Sequence, residues 1–224
     1  MDEITDIAAT SARVRALLEE LHGDFSPLFS FALRRPEVVW LDLSVNNSEL
    51  AALDIHNSAE QQEYIQSRLS RAGARAGLGG YGEKRGFYRR AGHFRDGEEA
   101  RDIHLGIDIW TPAGTPLLAP LSGTIHSFQD NAAYGDYGPT IILEHELPGG
   151  LRLFSLYGHL SRQSLSGKFR GQEVRPGQIF ASVGSPPTNG DWPPHLHFQL
   201  MIDMLGLQGD FPGVAAESKR DYFL

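Results

Sequence analysis

"RDIHLGIDIW", residues 101–110, alternates cleanly. In an extended chain Ile103, Leu105, Ile107 and Ile109 fall on one face, and His104, Gly106 and Asp108 on the other. The same rhythm continues downstream in "TPLLAP", "GTIHSF", "TIILEHE", "LRLFSLYGHL", "EVRPGQIFASVG" and "HLHFQLMI", short apolar runs separated by Gly/Pro turns. Turn signals about every 8–12 residues predict an antiparallel β domain over 101–205.

Upstream the texture differs. Ile4, Ile7, Val14, Leu17, Leu18 and Leu21 recur at helical spacing over 3–22, and Gly23 ends the run. "EVVWLDLS" (37–44) reads as a strand with Val39, Leu41 and Leu43 on one face. "NSAEQQEYIQSRLSRAG" (57–73) reads as a second helix, with Ser58 and Gln61 as a capping box and Gly73 as its stop. "GARAGLGGYGEKRG" (73–86) holds six glycines and reads as a mobile loop without a phosphate-loop signature. The expected organisation is an N-terminal α/β region over 1–72, a glycine-rich joint over 73–100, the β domain over 101–205, and an irregular tail over 206–224.

Composition narrows the chemistry. The formal net charge is −8, which argues against nucleic-acid or anionic-membrane partners, and the basic run "EKRGFYRR" (83–90) reads as a solvated loop. No stretch approaches transmembrane length, and "MDEITDIAAT" lacks the features of a secretory signal, so a cytoplasmic location is expected. There is no cysteine, so a metal would be held by histidine and carboxylate.

The β domain offers such groups in three places. His104 and Asp108 share a strand face, "LYGHL" carries Tyr157 and His159, and "DWPPHLHFQL" (191–200) puts His195 and His197 on one face. Two adjacent imidazoles are comfortable when neutral and sharing a metal or a proton. Three ligands with an open fourth position is the pattern of a catalytic zinc site, and two further histidines could serve as acid and base. His126 and His145 read as structural, and His93 as a surface residue.

Taken in order, HxxxD at 104–108, "YGHL" at 157–160 and HxH at 195–197, with "GTPLLAPLSGTI", "YGPTIILEH" and "VRPGQIFASVG" between them, resemble the lysostaphin/LytM-type zinc metallopeptidases. The likeness covers about 102–203. It implies an antiparallel β-sheet peptidase domain, one Zn²⁺ per chain, and a peptide substrate derived from peptidoglycan. By the same resemblance His104, Asp108 and His197 are the zinc ligands, and His159 and His195 the catalytic pair. Tyr137 and Tyr157 are candidate oxyanion donors.

The approach to HxH, "VGSPPTNGDWPPHLHF" (183–198), is longer than the Ser-Thr-Gly approach of typical members. It predicts a reshaped groove wall in which Trp192 either lines one end of the substrate site or anchors the N-terminal region. The alternative function is a non-catalytic zinc-binding or regulatory module that keeps the peptidase fold. A cupin-like metal oxygenase is disfavoured, because Gln199 and Asp203 stand where a glutamate ligand is wanted.

Overall fold

The computed structural model describes residues 3–54, 56–90, 92 and 99–223; His93 lies outside them. The first helix, α1 (Glu3–Glu20), lays Val14, Leu17 and Leu18 against Leu147, Leu151 and Leu153, as its helical spacing predicts. Strand β1 (Val38–Leu41) leads to α2 (Ser58–Ala72), which turns Ile65 and Leu69 onto Leu41 and Leu43. The cap of α2 is Asn57 rather than the expected box: its side chain accepts from the Glu60 amide, while Ser58 Oγ donates to Asp191 Oδ2 at 3.4 Å. Gly73 closes the helix in the left-handed region, at φ 60°.

The reading of 73–86 as a mobile loop is corrected. Ala76–Gly79 is a strand, β2, parallel to β1 and antiparallel to β4 (Ile107–Trp110). Its glycines serve close approach. A Cβ at Gly77 would lie 2.4 Å from Leu41 Cδ1, and one at Gly79 would lie 2.8 Å from the Arg85 guanidinium.

"RDIHLGIDIW" is also not one strand. It breaks at Leu105–Gly106 into β3 (Arg101–His104) and β4. Ile109 enters the main core, whereas Ile103 and Leu105 pack with Ala215. The space a glycine leaves at 106 is filled by an imidazole. A Cβ there would meet His197 Nε2 at 2.6 Å and the Phe198 carbonyl at 2.7 Å. Gly106→Ala is therefore expected to displace His197, lowering both the melting temperature and metal uptake.

The remaining strands are β5 (Pro116–Leu118), β6 (Gly123–Asn131), β7 (Gly138–Leu147), β8 (Leu151–Gly158), β9 (Glu173–Val174), β10 (Ile179–Ser182), β11 (His195–Met201) and β12 (Val214–Ala216). Among the described residues the main sheet has eight strands in the order β1-β2-β4-β11-β8-β7-β6-β9, antiparallel except for β1–β2. Strands β5 and β10 form one side ribbon, and β3 and β12 another. One face of the sheet carries the main core, including Ile109, Ile141, Leu143, Tyr157 and Leu196. Toward its β8–β7 side the opposite face carries a second cluster around Tyr137, Leu156, Met201 and Phe211. The tail is not wholly irregular: it supplies β12, and its Phe223 ring meets Phe211 edge-on at 6.3 Å. Among the described residues no helix is long and apolar enough to cross a membrane.

Candidate metal centre

Four strands build the floor of the site. Gly79 on β2, Asp108 on β4, His197 on β11 and Gly158 on β8 are paired in one row, with Gly77, Trp110 and His195 in the next. Directly opposed residues share a sheet face, so Asp108, Trp110, His195 and His197 point the same way. Leu196, between the two histidines, goes to the core beneath. The glycines at either end of the first row leave space. The Arg85 guanidinium lies over Gly79, and the Tyr137 ring lies over Gly158, where a Cβ would be 2.6 Å from it.

His104 reaches this face from β3. His159 reaches it by leaving the strand: it follows β8 with φ 60°, a left-handed conformation that few non-glycine residues adopt. That twist corrects the expected alternation. Tyr157 stays in the main core, fully buried against Phe180 and Phe198, and it is not among the residues lining the cavity. His159 turns instead to the Tyr137 side, with ring centroids 5.6 Å apart.

Three side chains converge. His104 Nε2 and His197 Nδ1 are 3.0 Å apart, and Asp108 Oδ1 lies 3.1 Å from the first and 3.2 Å from the second. Their neighbours decide which atoms carry protons. His104 Nδ1 faces the Gly80 carbonyl at 2.7 Å, which can only accept, so Nδ1 is the protonated nitrogen and Nε2 holds a lone pair. Gln199 donates its amide to the Pro212 carbonyl and turns Oε1 to His197 Nε2 at 3.1 Å, so His197 Nδ1 is likewise bare. Three acceptors thus point at one another with no proton between them. They repel unless a cation lies among them, and tetrahedral coordination at about 2.0–2.1 Å spaces donor atoms about 3.3 Å apart. The set fits a metal ion held by histidine and carboxylate.

His159 and His195 stand beside this triangle. His195 Nδ1 donates to the Pro193 carbonyl at 2.7 Å and His159 Nδ1 to the Asn189 carbonyl at 2.8 Å, so both keep a bare Nε2. Their rings are 4.3 Å apart, and His195 Nε2 lies 3.7 Å from Asp108 Oδ1. Trp110 stacks on His195 at 4.1 Å. A cavity of about 360 Å³ opens over these groups, lined also by Tyr137, Trp192, Asp136 and Asp210. Trp192 lines this cavity, and it packs edge-on at 6.2 Å against Tyr88 of the 73–100 segment rather than against the 1–72 region. Trp192→Ala is expected to cost about 3 kcal/mol of stability, measured by denaturant unfolding.

Burial pushes His104 and His195 down to about 4 and takes His159 well below its usual value, so all three are neutral near pH 7. Burial would raise the Asp108 carboxyl, but His104, where it is protonated, and the permanently charged Arg85 overcome this and hold it well below the usual range. Histidines in the unfolded chain titrate near pH 6.5. Protons bind the unfolded chain first as pH falls, so stability is complete above that pH and is lost toward about 4. The metal-free protein is expected to melt at progressively lower temperature between pH 7.5 and pH 5.

Two contributors escaped the sequence reading. Arg85, read as part of a solvated loop, is buried against Asp108, and nothing in "EKRGFYRR" separates it from Arg89 or Arg90. Gln199 carried a signal, because it lies two residues beyond His197 on the same strand face. His126 and His145 sit away from the site; His145 bonds the Ser122 carbonyl and Ser155 Oγ.

Residues 102–208 match the model of peptidase family M23. An uncharacterized metalloprotease of Haemophilus influenzae is 32% identical over 128 residues, 54% of this chain and 25% of that protein. The DD-carboxypeptidase/endopeptidase Mpg of Neisseria meningitidis is 36% identical over 101 residues, 45% of this chain and 20% of that protein. The L-Ala–D-Glu endopeptidase of Bacillus subtilis is 32% identical over 108 residues, 46% of this chain and 31% of that protein. The chain therefore matches between a fifth and a third of the length of these relatives. Residues 102–208, just under half of the chain, are thus similar to peptidase family M23 in sequence.

Proposed function

We propose that this protein is a zinc-dependent peptidase that hydrolyses short peptide bonds of the kind found in peptidoglycan, with His104, Asp108 and His197 as the metal ligands. The observation that carries this reading is the meeting of three lone pairs within 3.2 Å, each second nitrogen of the two imidazoles already committed to another acceptor. Bound zinc would polarise the scissile carbonyl and acidify a water. The chain's own part is proton handling. His159 and His195 each hold a bare Nε2 at the cavity, so one can take the proton of the attacking water and return it to the leaving amine as the C–N bond breaks. The other, with the Tyr137 hydroxyl kept protonated by burial, can steady the negative carbonyl oxygen. The names of the relatives support DD-type and L-Ala–D-Glu peptide bonds as the substrates to test first.

A non-catalytic metal-binding module is the second reading. It is favoured by the depth of the triangle, with His104, Asp108 and His197 only 0%, 2% and 3% exposed. Elemental analysis together with hydrolysis of synthetic L-Ala–D-Glu and D-Ala–D-Ala peptides separates the two. Zinc near one equivalent with peptide cleavage supports the peptidase, and zinc without cleavage of any peptide supports the module. A protein that takes up no metal refutes both.

A further inference from the structure

The segment between β2 and β3 forms a second layer around the converging donors. Residues 82–85 run antiparallel to β3: the Gly82 amide donates to the His104 carbonyl at 2.8 Å, the His104 amide to the Glu83 carbonyl at 2.9 Å, and the Arg85 amide to the Asp102 carbonyl at 2.8 Å. This pairing carries the Arg85 side chain inward to 3% exposure. Its guanidinium donates from Nη1 to Asp108 Oδ2 and from Nε to Glu83 Oε2 at 2.7 Å. Glu83 is itself held, accepting at Oε1 from the Leu43 amide at 3.0 Å.

The two oxygens of Asp108 are thereby given different work. Oδ2 is taken by Arg85, whereas Oδ1 faces His104 Nε2, His197 Nδ1 and, farther off, His195 Nε2. We propose that Arg85 is a positioning residue for the metal centre, holding Asp108 by Oδ2 so that Oδ1 alone is aimed at the two histidine nitrogens. This rests on the metal-ligand reading above. Glu83 offsets the charge of the guanidinium, so that Arg85 acts on the site as a fixed donor and adds little net positive charge to repel a bound dication. Its contact is with Oδ2, whereas the two histidine nitrogens lie near Oδ1, which distinguishes it from a cation plugging the metal position. The same segment orients His104 through the Gly80 carbonyl, so one stretch of chain steers two of the three ligands.

Cobalt(II) titration of the metal-free 224-residue chain, followed by visible absorption, tests this. Arg85→Met is paired with Glu83→Gln so that the Glu83 carboxylate is not left without its cation, and Arg85→Lys is the conservative variant. The expected result for the double variant is cobalt binding weakened about 10-fold or more, the usual cost of losing an outer partner of a ligand, with a displaced absorption band. Arg85→Lys is expected to keep the wild-type band and recover most of the affinity. Wild-type affinity and spectrum in the double variant overturn the proposal. So does increased peptide cleavage with undiminished cobalt binding, which would make Arg85 a plug. If wild-type protein takes up no cobalt, the metal-site reading fails and this inference fails with it.

Discussion

Replacing Asp108 with alanine is expected to abolish stoichiometric zinc binding and, with it, peptide hydrolysis. The carboxylate is the meeting point of the site: Oδ1 closes the donor triangle and Oδ2 holds Arg85. Its loss removes one of the three proposed ligands and leaves the buried Arg85 guanidinium with Glu83 as its remaining carboxylate, so a loss of stability accompanies the loss of metal. Elemental analysis and thermal melting read the two effects separately. Asp108→Asn divides them further, because it keeps an acceptor for Arg85 while removing the charged ligand, so folding is expected to survive better than zinc uptake. A variant Asp108→Ala that retains a full equivalent of zinc would remove the metal centre from this position.

His195→Ala and His159→Ala should leave zinc in place while lowering kcat by about 10²–10⁴-fold, the scale of a lost acid–base group. Neither imidazole belongs to the donor triangle, and each has its Nδ1 committed to a backbone carbonyl. The expected losses fall mainly on kcat, since the groups act on protons in flight. The double variant should be little worse than the poorer single one if the two imidazoles work as a unit. Loss of metal in His195→Ala would make that residue a ligand, and unchanged turnover in both variants would end the proposed mechanism.

What could be read from the chain alone follows from short periods. Alternation over two residues put His195 and His197 on one strand face and Leu196 in the core, and helical spacing located α1 and α2 with Gly73 as a stop. His104, Asp108 and His197 group together, the set that the resemblance to lysostaphin/LytM-type enzymes implies. Where the alternation reading failed, a single backbone angle or a close contact was responsible. The positive φ of His159 sends it to the face opposite Tyr157, and the His197 ring requires the bend without a side chain at Gly106. Neither leaves a periodic trace. Arg85, Gly80 and the Asn189 carbonyl reach the site across chain separations that local pattern does not encode, and two of these three contribute backbone atoms common to every residue type. The sequence by itself determined which side chains could hold a metal and move a proton. Tertiary structure alone decided which nitrogen of His104 and of His159 is bare and which oxygen of Asp108 is free, because those choices are made by partners brought together only when the sheet closes.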